Sequence, residues 1–185
     1  MQYKIISFYS EPEPNSTYYT CHAKKFIEAC ERLNLDYHVE KLEGKGDYFK
    51  NCKMKPSFIQ SCIDKFNTPV LWIDIDSDIR SVPIIDTSLD FAAVKKIKCI
   101  RPIYAHCLFF NTTQNGLRLL KTWKDLCEND GGGTTGDHSI LIALLEKFTD
   151  INFNYIEDFT KFNLAPKSEI KSKVYVDPRA ARRRR

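Results

Sequence analysis

Long apolar runs are missing from this sequence, and glycine and proline are scarce. No apolar stretch among the 185 residues approaches the ~18–20 residues that a helix needs to cross a bilayer. The opening segment, MQYKIISFYSEPEP, lacks the charged and then apolar pattern of a signal peptide. Seven glycines and eight prolines are few for a chain of this length, which is typical of an ordinary globular protein. These absences predict a soluble, globular protein of the cytoplasm.

The cysteines lack the pattern of a disulfide framework or a zinc site. Their number, seven, is odd, and no two of them form a CxxC pair. Without an export signal, reduced thiols in a cytosol-like compartment are the simplest interpretation. The sequons at 15–17 and 111–113 are then chance matches, because glycosylation requires a secretory route.

Charge is concentrated at one end of the chain. The formal net charge is +4, and the last seven residues, RAARRRR, contain five arginines, so the rest of the chain is close to neutral. We predict that 177–185 is a disordered, solvated basic tail, and contact with nucleic acid or an anionic membrane is the open alternative. We expect no nucleic-acid partner and no membrane span.

Secondary-structure signals alternate along the chain. Hydrophobic residues make up 43% of it, which is enough for one compact core. The first two-thirds read as strand, helix, strand, helix and strand, which predicts an α/β fold with a mainly parallel sheet. The predicted strands are 4–9, 35–42, 69–75, 91–94, 99–102, 106–111, 153–156 and 174–176. The predicted helices are 19–33, 55–66 and 113–127, with a further one that begins at Asp137.

Asp74, Asp76 and Asp78 carry the clearest chemical signal. In an extended chain alternate side chains share a face, which places successive carboxylates ~6–7 Å apart. Like charges at this spacing repel unless a cation lies between them, and oxygen ligands favour Mg²⁺ or Mn²⁺. The other interpretation is an edge strand with an acidic, solvated face. The continuous apolar run 70–73 argues against it, because such runs mark strands buried on both faces, and open α/β sheets bind ligands at the carboxyl ends of strands.

Four blocks, in order along residues 3–150, resemble the GT-A-fold glycosyltransferases. TPVLWIDIDSDI is similar to their apolar strand that runs into Asp-x-Asp, and HCLFFN is similar to their strand that ends in Phe-Asn. The following helix carries Leu119, Leu120 and Trp123, as in their Leu-Leu-x-x-Trp pattern. GDHSILIALLEK is similar to their acid-led helix opening. The resemblance is strongest to the small, soluble transferases of chlorella viruses and other large DNA viruses.

This resemblance implies a single GT-A domain over 1–176, with one Rossmann-like, mainly parallel sheet flanked by helices. It also implies a metal-dependent enzyme that uses Mn²⁺ or Mg²⁺. The donor would be a UDP-sugar, with UDP-glucose as the first expectation, and the acceptor a glycan or a protein. We expect the protein to be a monomer or weak dimer. Its expected location is the cytoplasm, or the host cytoplasm if the protein is viral.

The same resemblance assigns donor-binding residues. Asp74 would lie near the ribose or the metal and Asp76 would be the principal metal ligand, with Asp78 as the alternative second ligand. Ser7 and Tyr9, at the end of the first strand, would line the nucleoside pocket. Lys55 would pair with a donor phosphate or with an aspartate of the motif.

Three further assignments stay open. Lys53 competes with Lys55 for its role. Asp137 would be the general base in an inverting enzyme or an orienting group in a retaining one, and as a helix-opening acid it also suits a cap. His106 and His138 are candidates for the family's extra metal ligand, which has no clear match.

Two other functions compete with glycosyl transfer. A haloacid-dehalogenase-type phosphatase would use Asp74 as its nucleophile. That family places its Asp-x-Asp on the first strand and needs a second acid soon after a Gly-Asp pair, and this chain meets neither condition. A non-catalytic nucleotide-sugar-binding module is the second alternative.

Overall fold

A computed structural model of the chain describes residues 2–13, 15–95, 103–130, 135–156 and 160–162. Its strands are β1 (Lys4–Tyr9), β2 (Tyr37–Lys41), β3 (Val70–Ile73), β4 (Ser77–Ile79), β5 (Phe91–Lys95), β6 (Ile103–Phe110), β7 (Phe153–Ile156) and β8 (Thr160–Phe162). Its helices are α1 (Tyr18–Arg32), α2 (Tyr48–Cys52), α3 (Lys55–Phe66), α4 (Gln114–Asn129) and α5 (Asp137–Leu145).

Six strands form one mixed sheet in the order β2-β1-β3-β6-β5-β7, and β4 pairs with β8 in a second, two-stranded sheet. β1 is parallel to β2 and β3, and β5 is parallel to β7, whereas β6 is antiparallel to both β3 and β5. Five strands of the larger sheet therefore run in one direction, and β6 runs against them. The predicted α/β fold with a mainly parallel sheet is confirmed.

The centre of the larger sheet is buried on both faces. All of β3 is buried, as its unbroken apolar sequence predicts for a strand with helices on both sides. Residues of α3, α4 and α5 pack with Ile6 and Trp72 on one face, and α1 packs with Ile5 and Leu71 on the other. Among the helices of the described ranges, none combines the length and apolarity that crossing a bilayer requires.

The chain turns directly after β3, which corrects one expectation. Sequence alternation predicts an extended segment that carries Asp74, Asp76 and Asp78 on one face. In the structure the Ser77 N–H donates to the carbonyl of Asp74 at 2.9 Å, and Asp78 lies in β4 of the second sheet. The three carboxylates therefore do not form a row along one strand. The turn lets Ile79 pack against α1 in the core. The burial of this apolar side chain stabilises the turn, and local alternation in the sequence does not reveal it, because α1 is distant in the sequence.

Other predicted elements differ in smaller ways. Helix α2 lies between the predicted strand 35–42 and the predicted helix 55–66, where no element is predicted, and Asp47 caps it by accepting a hydrogen bond from the Lys50 N–H at 3.0 Å. β6 begins at Ile103 rather than at 106. The predicted strands 99–102 and 174–176 and the tail 177–185 lie outside the described residues.

Helix α4 begins where two backbones approach closely. Thr113 caps the helix by accepting from the Gly116 N–H. A Cβ at Gly116 would lie 2.7 Å from the carbonyl oxygen of Asn111 and 2.8 Å from that of Asp90. Both neighbours are backbone atoms in a hydrogen-bonded corner, so they have little freedom to move. Only glycine fits here without displacement.

We therefore expect Gly116→Ala to destabilise the fold by roughly 1–3 kcal/mol, the usual cost of overpacking a tight site. Urea denaturation measures the loss. The control is Lys121→Ala, a change at an exposed position of the same helix. If the two variants unfold at the same urea concentration, the close approach at Gly116 is not a constraint.

Candidate active site

The candidate site lies at the carboxyl edge of the parallel strands. Asp74 directly follows β3, which is parallel to β1. Lys55 is the first residue of α3 and Asp137 the first residue of α5. The starts of two helices thus meet the end of a buried strand, the usual ligand position in an open α/β sheet.

Lys55 joins these three elements. Its ammonium nitrogen, Nζ, lies 3.1 Å from Asp74 Oδ1 and 3.1 Å from Asp137 Oδ2. Nζ also donates a hydrogen bond of 3.1 Å to the backbone carbonyl of Ala105 in β6. The lysine side chain is only 8% exposed, so the cation is held by protein groups rather than by water. We call Lys55, Asp74 and Asp137 the Lys55 cluster.

Electrostatics keep this lysine charged. Burial by itself would lower the pKa of Lys55, but the charges of Asp137 and Asp74 outweigh it, and the pKa is raised above its ordinary value. The ammonium therefore stays protonated at neutral pH and at moderately alkaline pH. One positive and two negative charges leave the Lys55 cluster with an excess of one negative charge. A negative excess of this kind favours a cation over an anion as a ligand.

Asp74 is the accessible end of the Lys55 cluster. Its side chain is 30% exposed. The indole Nε1 of Trp72, two residues earlier on the same face of the strand, donates to Asp74 Oδ1 at 2.8 Å. The backbone N–H of Asp74 donates to the carbonyl of His106 at 2.7 Å. The carboxylate is therefore held by neighbours yet open on one side.

Asp137 is the buried end of the Lys55 cluster. Its side chain is 7% exposed, and a carboxylate in the first turn of a helix is stabilised by the helix dipole. The indole Nε1 of Trp123 donates to the backbone carbonyl of Asp137 at 3.0 Å. The imidazole Nε2 of His138 donates to the carbonyl of Ile103 at 2.9 Å. These contacts hold the start of α5 against β6 and α4.

Two thiols near Asp137 are chemically quiet. Burial, together with the nearby charge of Asp137, raises the pKa of Cys52 and of Cys127 to about 12. Both thiols are therefore protonated at neutral pH. Since the thiolate is the nucleophile, neither is suited to covalent catalysis.

The two lysines that competed for one role are separated by the structure. Lys53 pairs with Asp130 at the end of α4, whereas Lys55 reaches Asp74 and Asp137. Asp130 immediately precedes the glycine-rich segment that leads to Asp137. Lys53 therefore links α2 and α3 to α4, and Lys55 is the lysine of the site.

The donor-binding residues predicted on β1 are placed differently from one another. Ser7 is completely buried, and its hydroxyl has no hydrogen-bond partner among the described residues. Tyr9, at the carboxyl end of the strand, is half-buried and packs on the side of the sheet that faces α1. A ligand reaches Tyr9 more readily than Ser7, and the donor-binding roles of both remain predictions.

The predicted metal ligands do not form a ready cage. Within the described ranges, no three or more His, Cys, Asp and Glu side chains lie close enough together to hold a metal ion. Asp76 lies in the turn and Asp78 in β4, while His106 is buried beside the ring of Tyr104. This donor set fits an ion such as Mg²⁺ or Mn²⁺, which commonly binds through one or two carboxylates together with substrate phosphates and water.

Sequence reasoning missed the two indole hydrogen bonds and the carbonyl of Ala105. The position of Trp72, two residues before Asp74 in a strand, is a usable signal, because i and i+2 share a face. Asn111, part of a block that carries the family resemblance, lies at the opposite end of β6. Its amide donates to the carbonyls of Thr87 and Leu89, so it closes a loop and is remote from the Lys55 cluster.

Comparisons with known proteins define the fold. No protein-family model matches the sequence, and no curated protein matches it. Among solved structures, a glycosyltransferase involved in the glycosylation of the major capsid of PBCV-1 superposes with a TM-score of 0.63 at 16% identity. The match covers 82% of this chain and 79% of that one.

A second similar structure is the glycosyltransferase GlyE of Streptococcus pneumoniae TIGR4. Its two structures superpose with TM-scores of 0.53 and, for the apo form, 0.56, at 14% and 16% identity. Each match covers 85% of this chain but only 45% and 46% of GlyE. The chain therefore has the fold of these glycosyltransferases, and it spans about half the length of the bacterial one.

Proposed function

We propose that this protein is a metal-dependent glycosyltransferase that transfers a sugar from a UDP-sugar to a glycan or protein acceptor. The observation that carries the proposal is the Lys55 cluster, with its excess of negative charge at the carboxyl edge of a sheet. The fold shared with two glycosyltransferases supports it. UDP-glucose is the first donor to test.

Asp76 and Asp74 would hold the divalent cation, with Asp78 as the alternative second ligand. When bound, the cation neutralises the diphosphate that leaves with the nucleotide. The acidic site by itself repels a diphosphate, so nucleotide and metal should bind together. Tyr9 would contact the base, and Ser7 would support that strand end from within the core.

Lys55 would act mainly as an organiser. It fixes the donor-side carboxylate of Asp74 and the carboxylate of Asp137 at equal distances of 3.1 Å. One carboxylate oxygen of Asp137 faces Lys55, and the Asp137 side chain is only 7% exposed. An acceptor hydroxyl therefore has limited access to this carboxylate. This burial favours an orienting role for Asp137 over that of a general base.

The competing functions fit less well. A phosphatase of the haloacid-dehalogenase type would need Asp74 on the first strand, whereas β3 is the third strand along the chain. A non-catalytic module that binds nucleotide-sugars shares the same cluster. Turnover separates it from an enzyme, because a module binds donor with metal but releases no UDP.

The proposed function predicts that nucleotide binding depends on a divalent metal ion. We expect UDP to bind measurably only with Mn²⁺ or Mg²⁺. Asp76→Asn should weaken that binding at least about 10-fold, because even the loss of a residue that only supports a metal ligand typically lowers metal affinity by about this factor. Isothermal titration calorimetry of UDP with and without MnCl₂ measures both effects.

The control for this prediction is Asp64→Asn. It removes the same charge at the far end of α3, where Asp64 accepts a hydrogen bond from Gln60. UDP binding that is independent of metal, or equal in Asp76→Asn and wild type, contradicts the assignment.

The second prediction concerns Lys55. Lys55→Met leaves two carboxylates facing each other in a buried site, and removal of one partner of a buried pair typically costs about 3–5 kcal/mol. Urea denaturation should show this loss, and adding Asp137→Asn should recover part of it by removing the uncompensated charge.

Arg118→Met is the matched control, because it breaks the ion pair between Arg118 and Asp150, whose side chains are 48% and 58% exposed. Exposed pairs contribute little to stability, so this variant should unfold almost as wild type does. The Lys55 assignment fails if the double variant is no more stable than Lys55→Met alone.

The third prediction concerns Asp137. Asp137→Asn should keep UDP affinity but lower UDP release from UDP-glucose in the presence of glycan acceptors. A fall of about 10²–10⁴ is typical of a lost general base, and a smaller fall indicates orientation. Unchanged rates would reduce Asp137 to a structural residue at the start of α5.

A further inference from the structure

Both tryptophans of the chain donate their indole hydrogen bonds to aspartates of the Lys55 cluster. Trp72 reaches the carboxylate of Asp74, and Trp123 reaches the backbone of Asp137. We infer that Trp72 is a positioning residue that holds Asp74 with one oxygen, Oδ2, turned toward the donor site. This inference rests on the proposed function.

The ring of Trp72 is fixed by the core. The residue is 2% exposed, and its ring lies 5.2 Å from that of Phe8 and 6.0 Å from that of Phe58, measured between centroids. A ring packed in this way cannot swing, so the direction of its N–H is set by the fold. The indole therefore imposes an orientation on Asp74 rather than following it.

The N–H of Trp72 and the ammonium of Lys55 both lie against the same oxygen of Asp74. Trp72 Nε1 lies 2.8 Å from Oδ1 and Lys55 Nζ lies 3.1 Å from it. Nζ also lies 5.3 Å from the centroid of the Trp72 ring, within the range of a cation–π contact. Indole, ammonium and carboxylate thus restrain one another.

The other oxygen of Asp74 has a different environment. Within the described residues, Oδ2 accepts no hydrogen bond, and the side chain is 30% exposed. With Oδ1 engaged twice, Oδ2 is the oxygen available to a metal ion or a ribose hydroxyl. The two oxygens of a carboxylate are equivalent, so these contacts to Oδ1 restrain the plane of the Asp74 carboxylate and keep its other oxygen turned toward the ligand.

Trp123 provides a matched comparison within the same chain. It is fully buried and stacks on Phe110, with ring centroids 5.9 Å apart and an angle of 13° between the planes. Its N–H also makes one hydrogen bond, but to a backbone carbonyl. Trp→Phe at either position therefore removes an indole ring and one hydrogen bond, and only the change at Trp72 removes a bond to a carboxylate.

The test compares Trp72→Phe and Trp123→Phe by calorimetric titration of UDP in MgCl₂, with stability measured in parallel by urea denaturation. Because hydrogen bonds to charged groups are the stronger ones, we expect Trp72→Phe to weaken UDP binding by about 10-fold or more. Trp123→Phe should stay within about 2-fold of wild type, although both variants lose stability.

A second readout uses the protein without ligand. Two indole N–H signals should appear in a ¹H–¹⁵N spectrum, and the two Trp→Phe variants assign them. Asp74→Asn should shift the Trp72 signal and leave that of Trp123 in place, and UDP with MgCl₂ should shift the same signal in the wild type.

The outcomes separate the two claims. If wild type binds UDP and Trp72→Phe binds it equally well, or if both tryptophan variants weaken binding alike, the positioning role is overturned and the proposed function stands. A Trp72 signal that ignores Asp74→Asn overturns it as well. If wild type binds no UDP with metal, the proposed function fails and the positioning role fails with it.

Discussion

A buried ammonium between two carboxylates is the interaction on which the rest of the site depends. Lys55 is far from water, and its charge is tolerated only because Asp74 and Asp137 lie 3.1 Å away on opposite elements. Removing Lys55 leaves two like charges facing each other in the interior, whereas removing either aspartate leaves a single ion pair. The ion cluster therefore ties the end of β3 to the starts of α3 and α5, and it holds the candidate donor and acceptor sides in one geometry.

The surrounding fold restricts that geometry further. The carbonyl of Ala105 in β6 accepts a hydrogen bond from Lys55, so the reversed strand contributes to the site through its backbone. The indoles of Trp72 and Trp123 link the hydrophobic core to the two aspartates. Packing and electrostatics are thus coupled, because rings that fill the core also direct hydrogen bonds at the charged groups.

Much of the fold follows from local patterns. The unbroken apolar run of β3 and the alternation of strands and helices predict the α/β sheet, and Asp74, Lys55 and Asp137 stand out in the sequence. The predicted row of carboxylates through Asp78 is wrong, because the chain turns after β3. That turn depends on the burial of Ile79 against α1 and on the pairing of β4 with β8, which involve residues distant in the sequence. The choice between Lys53 and Lys55 also required the fold, since both are lysines that flank the start of α3.

Local sequence patterns suffice to predict which segments are buried and which residue types can meet a cation, because apolar periodicity and charge are local properties of the chain. Only the packed fold places Lys55 between Asp74 and Asp137 and leaves Asn111 in a remote corner. These positions depend on contacts between residues that are distant in the sequence, as far as the 82 positions from Lys55 to Asp137. Such contacts arise only when helices and strands pack, so no local pattern encodes them.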